Sequence, residues 1–474
     1  MLSLYYLVVL LSSVSVCVLM VGAGPVLLDK GSTCHSALKQ LHSGHQVTVH
    51  IPPNISGHWV SNSCEVRPGP EFIIRSYRFY PNHTFQALQF YYQDNHCSQP
   101  SYSLRILGIV RPQRASWVVR GGTVSEFQLS RVQLFCHGPD AAAKLQRSLE
   151  SGCDLGELRP GLVYELWAEG RDCTRGFGFS MQELQLMRME VRGHHGDPGR
   201  QAEELFLGDV HTERAQRRLH QPSGYQTPLQ SAKACAICQS VASADLLHPP
   251  VLLSQIDRPV RLHGDWVSVR CEARPGVLFL TRRLAFHEES LTWTGHYEHF
   301  SDPLCRHPTF SITASGRYSR GEPSAAVMGA VDFTFTVTRM TVRPMDAATT
   351  SLLNVFRGSE CGSEGSWHQG EEQDVTPTSG CAALGIRLPH TEYELFSTGQ
   401  DSSGHSLLYN GQRPTDGSSP DRPDRRPTSY QPPLMRCHSP AREGDQNFRR
   451  SRASSNIIQH TVLILTLLPV LSFC

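Results

Sequence analysis

The chain has 474 residues, more than one hydrophobic core accommodates, because single cores stop growing at about 250 to 300 residues. Its 44 basic and 43 acidic side chains leave a formal charge of +1, so no global field argues for nucleic acid or an anionic surface as partner.

The chain opens on "LYYLVVLLSSVSVCVLMVGAG", with no charged residue before Asp29 and Lys30. This reads as a secretory signal cut after Ala23, with small residues Val21 and Ala23 at the cleavage site; the missing basic n-region leaves an uncleaved anchor as the alternative. Export makes disulfides the default state of the thirteen cysteines between Cys34 and Cys437. It also agrees with two glycosylation acceptors, Asn54 in Asn-Ile-Ser and Asn82 in Asn-His-Thr.

Next comes "GHWVSNSCEVRPG" at 57–69, which recurs as "GDWVSVRCEARPG" at 264–276 with nine of thirteen positions identical. The correspondence extends outward: Phe72 matches Phe279, Phe79 matches Phe286, Cys97 matches Cys305, Phe127 matches Phe335 and Arg131 matches Arg339. On the similarity of "SGCDLGELRPGLVYELWAEGRD" to "SGCAALGIRLPHTEYELFSTGQD", Cys153 matches Cys381 and Tyr164-Glu165-Leu166 matches Tyr393-Glu394-Leu395. The chain is therefore two copies of a domain-sized unit. The expected organisation is a signal at 1–23, a first repeat at 24–238, a linker at 239–250, a second repeat at 251–437, a stalk at 438–456 that ends a segment rich in Pro, Ser, Asp and Arg from about 413, and an apolar tail at 457–474.

Within each copy the dominant period is two. "VDFTFTV" places Val331, Phe333, Phe335 and Val337 on one face of a strand. "HQVTVHI", "FIIRSYRFY", "TFQALQFYY", "SLRILGIV", "VLFLTRRLAF", "SLTWTG" and "FSITASGRY" repeat the pattern, and "DAAAKLQRSLE", opening on Asp140, is the best helix. The predicted fold is mainly β, antiparallel, with few short helices, as either closed barrels or two-sheet sandwiches. Alternation does not choose between them, and large inward residues favour a filled core over a lined cavity.

Five cysteine positions read as shared: Cys64/Cys271, Cys97/Cys305, Cys136/Cys361, Cys153/Cys381 and Cys235/Cys437. The first four in each copy are expected to form two bridges of open connectivity, with Cys34–Cys173 as an extra pair. Cys235, Cys238 and Cys437 remain, an odd set that leaves one thiol free or bonded to another chain, which keeps a homo-oligomer open. The "CAIC" at 235–238 reads as a structural bridge near the junction, since redox chemistry needs such a pair at a helix N-terminus. Zinc with His248 would lack a second ligand pair, and "GHHGDPG" at 193–199 reads as a solvated loop, so no metal or cofactor is expected. No catalytic motif is present, and Glu65/Arg67 and Glu272/Arg274 read as parts of a structural turn; the protein is not expected to be an enzyme.

The tail "IIQHTVLILTLLPVLSFC" spans about 27 Å as a helix, marginal for a hydrocarbon core of about 30 Å. A short spacer and small residues before it also fit a glycolipid-anchor signal, so tethering is expected with the anchor chemistry open.

The doubled Trp-Val-Ser-x-x-Cys-Glu phrase, "HPTFSI", "PMDAATTSLLNVF", "LPHTEYE" and "YNGQRPTDGSSPDRP" resemble the adenomatosis polyposis coli down-regulated family of Wnt inhibitors. The resemblance implies a glycosylated, membrane-tethered protein that reaches the cell membrane through the secretory pathway, with an extracellular ectodomain. It implies antagonism of Wnt through contacts with Wnt and its low-density-lipoprotein-receptor-related co-receptor. It also implies two tandem β-barrel domains, one or both with an apolar pocket for the acyl chain on Wnt. Candidate lining residues are the inward aromatics Trp59, Phe72, Phe85, Phe127, Trp266, Phe279, Trp293, Phe310, Phe333 and Phe335. A module with solid cores that blocks receptor contacts by its surface is the alternative.

Overall fold

A computed structural model describes residues 34–437, apart from 44–46, 151–152, 169–170, 195–196, 254–258, 356–360, 363–364 and 402–403. The expected signal, stalk and apolar tail lie outside the described residues, as does part of the 193–199 loop. Among the described residues no helix is long and apolar enough to cross a membrane. Residues 37–436 form one compact unit that holds both repeats, and Cys34 is bonded to Cys437.

The repeats are two closed barrels of antiparallel strands. In the first, eight strands run Gly57–Val60 (β1), Glu71–Phe79 (β2), Thr84–Tyr92 (β3), Pro100–Ala115 (β4), Thr123–Cys136 (β5), Leu186–His194 (β6), Asp197–Leu207 (β7) and Leu229–Ser231 (β8). Each pairs with the next through β5, β5 meets β6 at Val124↔Leu186 and Thr123↔Met187, and β8 returns to β1 at Ser231↔Trp59. The second repeats the circuit with Gly264–Ser268 (β9), Leu278–His287 (β10), Thr292–Phe300 (β11), Pro308–Tyr318 (β12), Val331–Pro344 (β13), His390–Gln400 (β14), Ser406–Asn410 (β15) and Leu434–Arg436 (β16). Closure, which alternation could not decide, removes both sheet edges.

Shared irregularities shape both walls. A bulge puts the extra residue Ser130 of β5 opposite Leu107/Gly108 of β4, and Thr338 of β13 opposite Ser315/Gly316 of β12. A Cβ at Gly108 would run into the Gln128 carbonyl, and one at Gly316 into the Thr336 carbonyl, so both bulges need glycine. In the loops after β3 and β11, Asp94 and Asp302 accept backbone N–H bonds at 2.7–3.1 Å, while Cys97 and Cys305 adopt φ of 55° and 53°. The expected helix forms at Pro139–Gln146 (α2, after α1 at Cys34–Ser43), but Gly138 caps it and Asp140 lies in its first turn.

The cysteines follow this frame, with corrections. Cys64–Cys97 and Cys271–Cys305 are the matching bridges, but Cys153–Cys173 is answered by Cys361–Cys381. Each of the latter closes over 20 residues, so Cys153 corresponds to Cys361 and not to Cys381. Cys136, at the buried end of β5, is a free thiol raised to about 11 by burial, and Cys34 bonds Cys437 and not Cys173. The match of Tyr164-Glu165-Leu166 to Tyr393-Glu394-Leu395 fails as well. Glu165 lies in an accessory strand paired with the end of β5, where Asp374 pairs with the end of β13. Both accept an ion pair from the matched arginines: Arg131–Glu165 at 2.9 Å and Arg339–Asp374 at 3.0 Å. By register the counterpart of Glu392–Leu395 is Glu183–Leu186, because Leu186 faces Val124 as Leu395 faces Asp332. Short phrases of like composition misaligned these segments.

The barrels meet through reciprocal contacts. Gly69 N–H donates to Thr428 Oγ1 at 2.8 Å, and its counterpart Gly276 N–H donates to Ser223 Oγ at 3.0 Å. Such exchange of equivalent contacts is the mark of a two-fold relation, here between repeats of one chain. Beside it, the outward faces of β2 and β3 (Phe72, Ile74, Leu88, Phe90) pack with Cys238 and Val241 of α3 (Ala236–Ser243) and with Val327, Ala330 and Leu395 of the second barrel.

Candidate functional site

The repeated phrase builds a buried ion pair at the same place in each wall. After β1, Ser61 Oγ donates to Glu65 and accepts from Arg75 N–H at 2.8 Å, while Arg75 binds both Glu65 carboxylate oxygens at 3.0 and 2.7 Å. The second copy reproduces it with Ser268, Glu272 and Arg282: 2.8 Å from Ser268 Oγ to Glu272, and 2.9 Å from Arg282 Nε to Glu272. Both arginines reach one step further to a backbone carbonyl, Thr227 at 2.7 Å and Pro432 at 2.8 Å, tying β2 and β10 to the segments before β8 and β16. Burial pushes the Glu272 carboxyl up, but Arg282 and Arg274 outweigh it and hold the group below its ordinary value. Gly69 and Gly276 have φ of 144° and 80°, as the expected turn requires. This constellation is therefore a fastener of the fold.

A cleft opens at one end of the first barrel, about 440 Å³ with its open mouth included. Tyr91 on β3, Tyr102 and Leu104 on β4, Leu134 on β5 and Leu145 on α2 line it, with Phe177 and Phe179 from the segment before β6. Tyr91 and Tyr102 stack at 4.4 Å. The opening has a cause in the wall: β5 and β6 share only two residue pairs, whereas β13 and β14 share seven, Val331↔Phe396 to Val337↔His390. The connector between β5 and β6 contributes Leu145, Phe177 and Phe179 to the lining.

The polar part of the lining is Arg67, Glu71 and Arg217. Arg217 binds both Glu71 oxygens at 2.9 and 3.0 Å and the Pro68 carbonyl, and Arg214 adds a contact to Glu71 at 2.6 Å. Arg67 pairs with Glu183 at 2.9 Å, and its buried Nε has no hydrogen-bond partner. Glu183 is fully enclosed; burial raises its carboxyl, but Arg67, Arg75 and hydrogen bonds from Tyr77 and Gln226 hold it below its ordinary value. The charged groups here are thus largely paired with one another, and they share with the aromatic and aliphatic side chains a lining whose open surface is more polar than apolar.

None of the ten aromatic candidates lines this cleft. Trp59 and Phe85 are buried in the first barrel's core, with Phe127 packed against it. Phe72 faces out into the contact between barrels, and its counterpart Phe279 faces out against Phe300 and Cys305, because their position in β2 and β10 alternates away from the interior. Trp266, Trp293, Phe333 and Phe335 lie inside the second barrel. There Trp293, Phe333 and Phe335 join Phe286, Tyr318 and Phe396 in a set of rings with centroids 5.5–6.4 Å apart. Phe310 stacks on His299 at 4.3 Å, the position that Tyr102 and Tyr91 occupy beside the first-barrel cleft. Of the cleft's own tyrosines, Tyr91 stands in the segment "TFQALQFYY" and Tyr102 just before "SLRILGIV", both outside the aromatic set, and Leu145, Phe177 and Phe179 come from a connector without β period.

Asn54 and Asn82 are exposed, before β1 and in the β2–β3 turn, where Gly57 pairs with Phe79. Glu71, Tyr91 and Tyr102 are at the other ends of the same strands, so both sequons sit away from the cleft. Among the described residues no group of three or more His, Cys, Asp or Glu side chains could hold a metal ion.

The family model for adenomatosis polyposis coli down-regulated 1 matches residues 33–253 and again 254–444. The chain belongs to that family. Its two matches cover both barrels, and membership suggests an inhibitory role in the Wnt pathway. The six disulfides and the family together suggest an extracellular protein.

Proposed function

We propose that this chain is a non-enzymatic, cell-surface inhibitor of Wnt signalling that binds Wnt and its low-density-lipoprotein-receptor-related co-receptor, with the Wnt acyl chain in the first-barrel cleft. The observation that carries the reading is a cleft lined by four aromatic rings, aliphatic side chains and paired charges, at the end of a closed eight-stranded barrel away from both sequons, in a chain of this family. Eight strands enclose either packed side chains or one small ligand. Removing about a dozen methylenes from water at about 0.8 kcal/mol each yields on the order of 10 kcal/mol gross, against association and ordering costs. The second barrel, with its interior packed by rings, acts through its surface. Membrane tethering rests on the apolar C-terminal tail.

The test is saturable binding of a palmitoleoyl probe to the secreted protein. Phe177→Asp and Tyr102→Asp are expected to weaken it at least about tenfold with unchanged far-UV circular dichroism, and Trp293→Phe to leave it intact. Absence of saturable acyl binding overturns lipid capture and leaves surface blocking as the mode of inhibition.

A further inference from the structure

The Cys235–Cys238 bridge is placed differently from the other five. It does not lie in irregular linker: Cys235 is the N-cap of α3, and its Sγ accepts the Cys238 backbone N–H at 3.0 Å. The eight residues of α3 contain no charged side chain, so nothing in the sequence announces the helix beyond two small residues and an apolar stripe. Cys235 is half-buried and Cys238 fully buried. The remaining bridges span 20 to 403 residues, whereas this one spans 3 and constrains the unfolded chain least. Its contribution to holding the fold is correspondingly small, and its chemistry is left to explain.

We propose that Cys235–Cys238 is a thiol–disulfide exchange site, at which the thiolate of a partner protein or of glutathione attacks Cys235 Sγ. Attack forms a mixed disulfide at Cys235 and breaks the Cys235–Cys238 bond; Cys238 leaves as thiolate and takes a proton from solvent. A second thiol on the partner completes the exchange: its sulfur bonds the first, Cys235 departs as thiol, the partner is oxidised by two electrons and this chain is reduced by two.

Three features favour the step. The helix N-terminus supplies backbone N–H groups and a positive partial charge to a thiolate at Cys235, and the first turn has no acidic side chain to oppose it. Access is one-sided, with Ile237 exposed beside Cys235 while Cys238 is enclosed, which selects Cys235 as the sulfur attacked. The Gln230 amide oxygen lies 3.9 Å from Cys238 Sγ, where it accepts from the Cys238 thiol once released. Cys238 and Val241 belong to the cluster that joins β2 and β3 to Val327, Ala330 and Leu395, so exchange is read directly at the contact between barrels. This inference is independent of acyl binding.

The experiment equilibrates the full chain in glutathione buffers of graded ratio at neutral pH, quenches with acid, and identifies free thiols by differential alkylation and peptide mass spectrometry. Cys235 and Cys238 are expected to be half-reduced at a ratio at least about tenfold less reducing than Cys64–Cys97 and Cys271–Cys305 require. Buried Cys136 is the internal control, since it is alkylated only when the fold is lost. Cys238→Ser is expected to retain glutathione at Cys235, and Cys235→Ser not to retain it at Cys238. Reduction of Cys235–Cys238 together with or after the other bridges, or equal glutathione capture by the two variants, overturns the assignment.

Discussion

At one end of the first barrel Tyr91 stacks on Tyr102 at 4.4 Å and a cleft begins; at the matching end of the second, His299 stacks on Phe310 at 4.3 Å beside a buried acidic pair. There Glu392 contacts Arg413 and, at 2.8 Å, His390. Its neighbour Glu394 stands where the first barrel has Gln185, by the register that aligns Leu186 with Leu395. Three interior positions diverge in the same way: Val110, Ser125 and Met187 of the first barrel are answered by Tyr318, Phe333 and Phe396, all members of the ring cluster. What stays constant is the wall: the bulge glycines, the Ser–Glu–Arg fasteners and the loop disulfides. Duplication kept the frame and let each interior change, which allows a cleft in one copy and packed aromatic rings in the other.

The comparison can be broken first at the shared fastener. Arg75→Met leaves the buried Glu65 carboxylate without its arginine and is expected to destabilise by about 3–5 kcal/mol in chemical denaturation. Arg282→Met is expected to cost less, because Arg274 stays bound to Glu272 at 2.7 Å; equal losses would show that Arg274 does not share the pairing.

The interiors should differ where the walls do not. Phe335→Ala removes a ring with four aromatic neighbours besides Phe333 and is expected to cost about 3 kcal/mol or more. Its half-buried counterpart Phe127→Ala is expected to cost about 1–2 kcal/mol, and equal losses would contradict the unequal packing.

Next in size, Gly108→Ala and Gly316→Ala each press a methyl into a carbonyl across the bulge, at about 1–3 kcal/mol apiece. Thermal unfolding of the two variants should shift alike.

The smallest expected effect is on pH dependence, and it has opposite sign in the two barrels. Burial and the Glu392 charge push Glu394 up to about 8, above its unfolded value, so its contribution is fully present below the ordinary carboxylate range and is lost as pH rises toward 8. Glu183 is held below its ordinary value, so its contribution is present above that value and is lost as pH falls through the folded one. Hydrogen exchange of β14 peptides should therefore quicken on the alkaline side and that of peptides around Glu183 on the acid side. Glu394→Gln, which restores the first barrel's residue type, should abolish the alkaline response.

Legibility followed locality. The strictly alternating segment Val331–Val337 was readable because a period of two needs no knowledge of neighbours. The doubled phrase made Cys64 equivalent to Cys271 and Cys97 to Cys305, but it left their connectivity open; only the structure pairs Cys64 with Cys97 and Cys271 with Cys305. Cys153 was matched to the wrong partner because two "SGC" triplets look alike, while spacing from the preceding helix, which fixes the true match, is visible only with the helices in place. Phe72 and Phe279 looked like lining residues because aromaticity does not report which face of a strand is inside.

The sequence by itself determined that there are two copies, that each is antiparallel β, and which family they belong to, since repetition, period and motif are local properties of the chain. Tertiary structure alone decided that both sheets close, that the β5–β6 seam is short, and that the connector between those strands brings Leu145, Phe177 and Phe179 to the cleft. Those outcomes depend on which distant strands pair and over what length, a competition among non-local contacts that no window of residues contains.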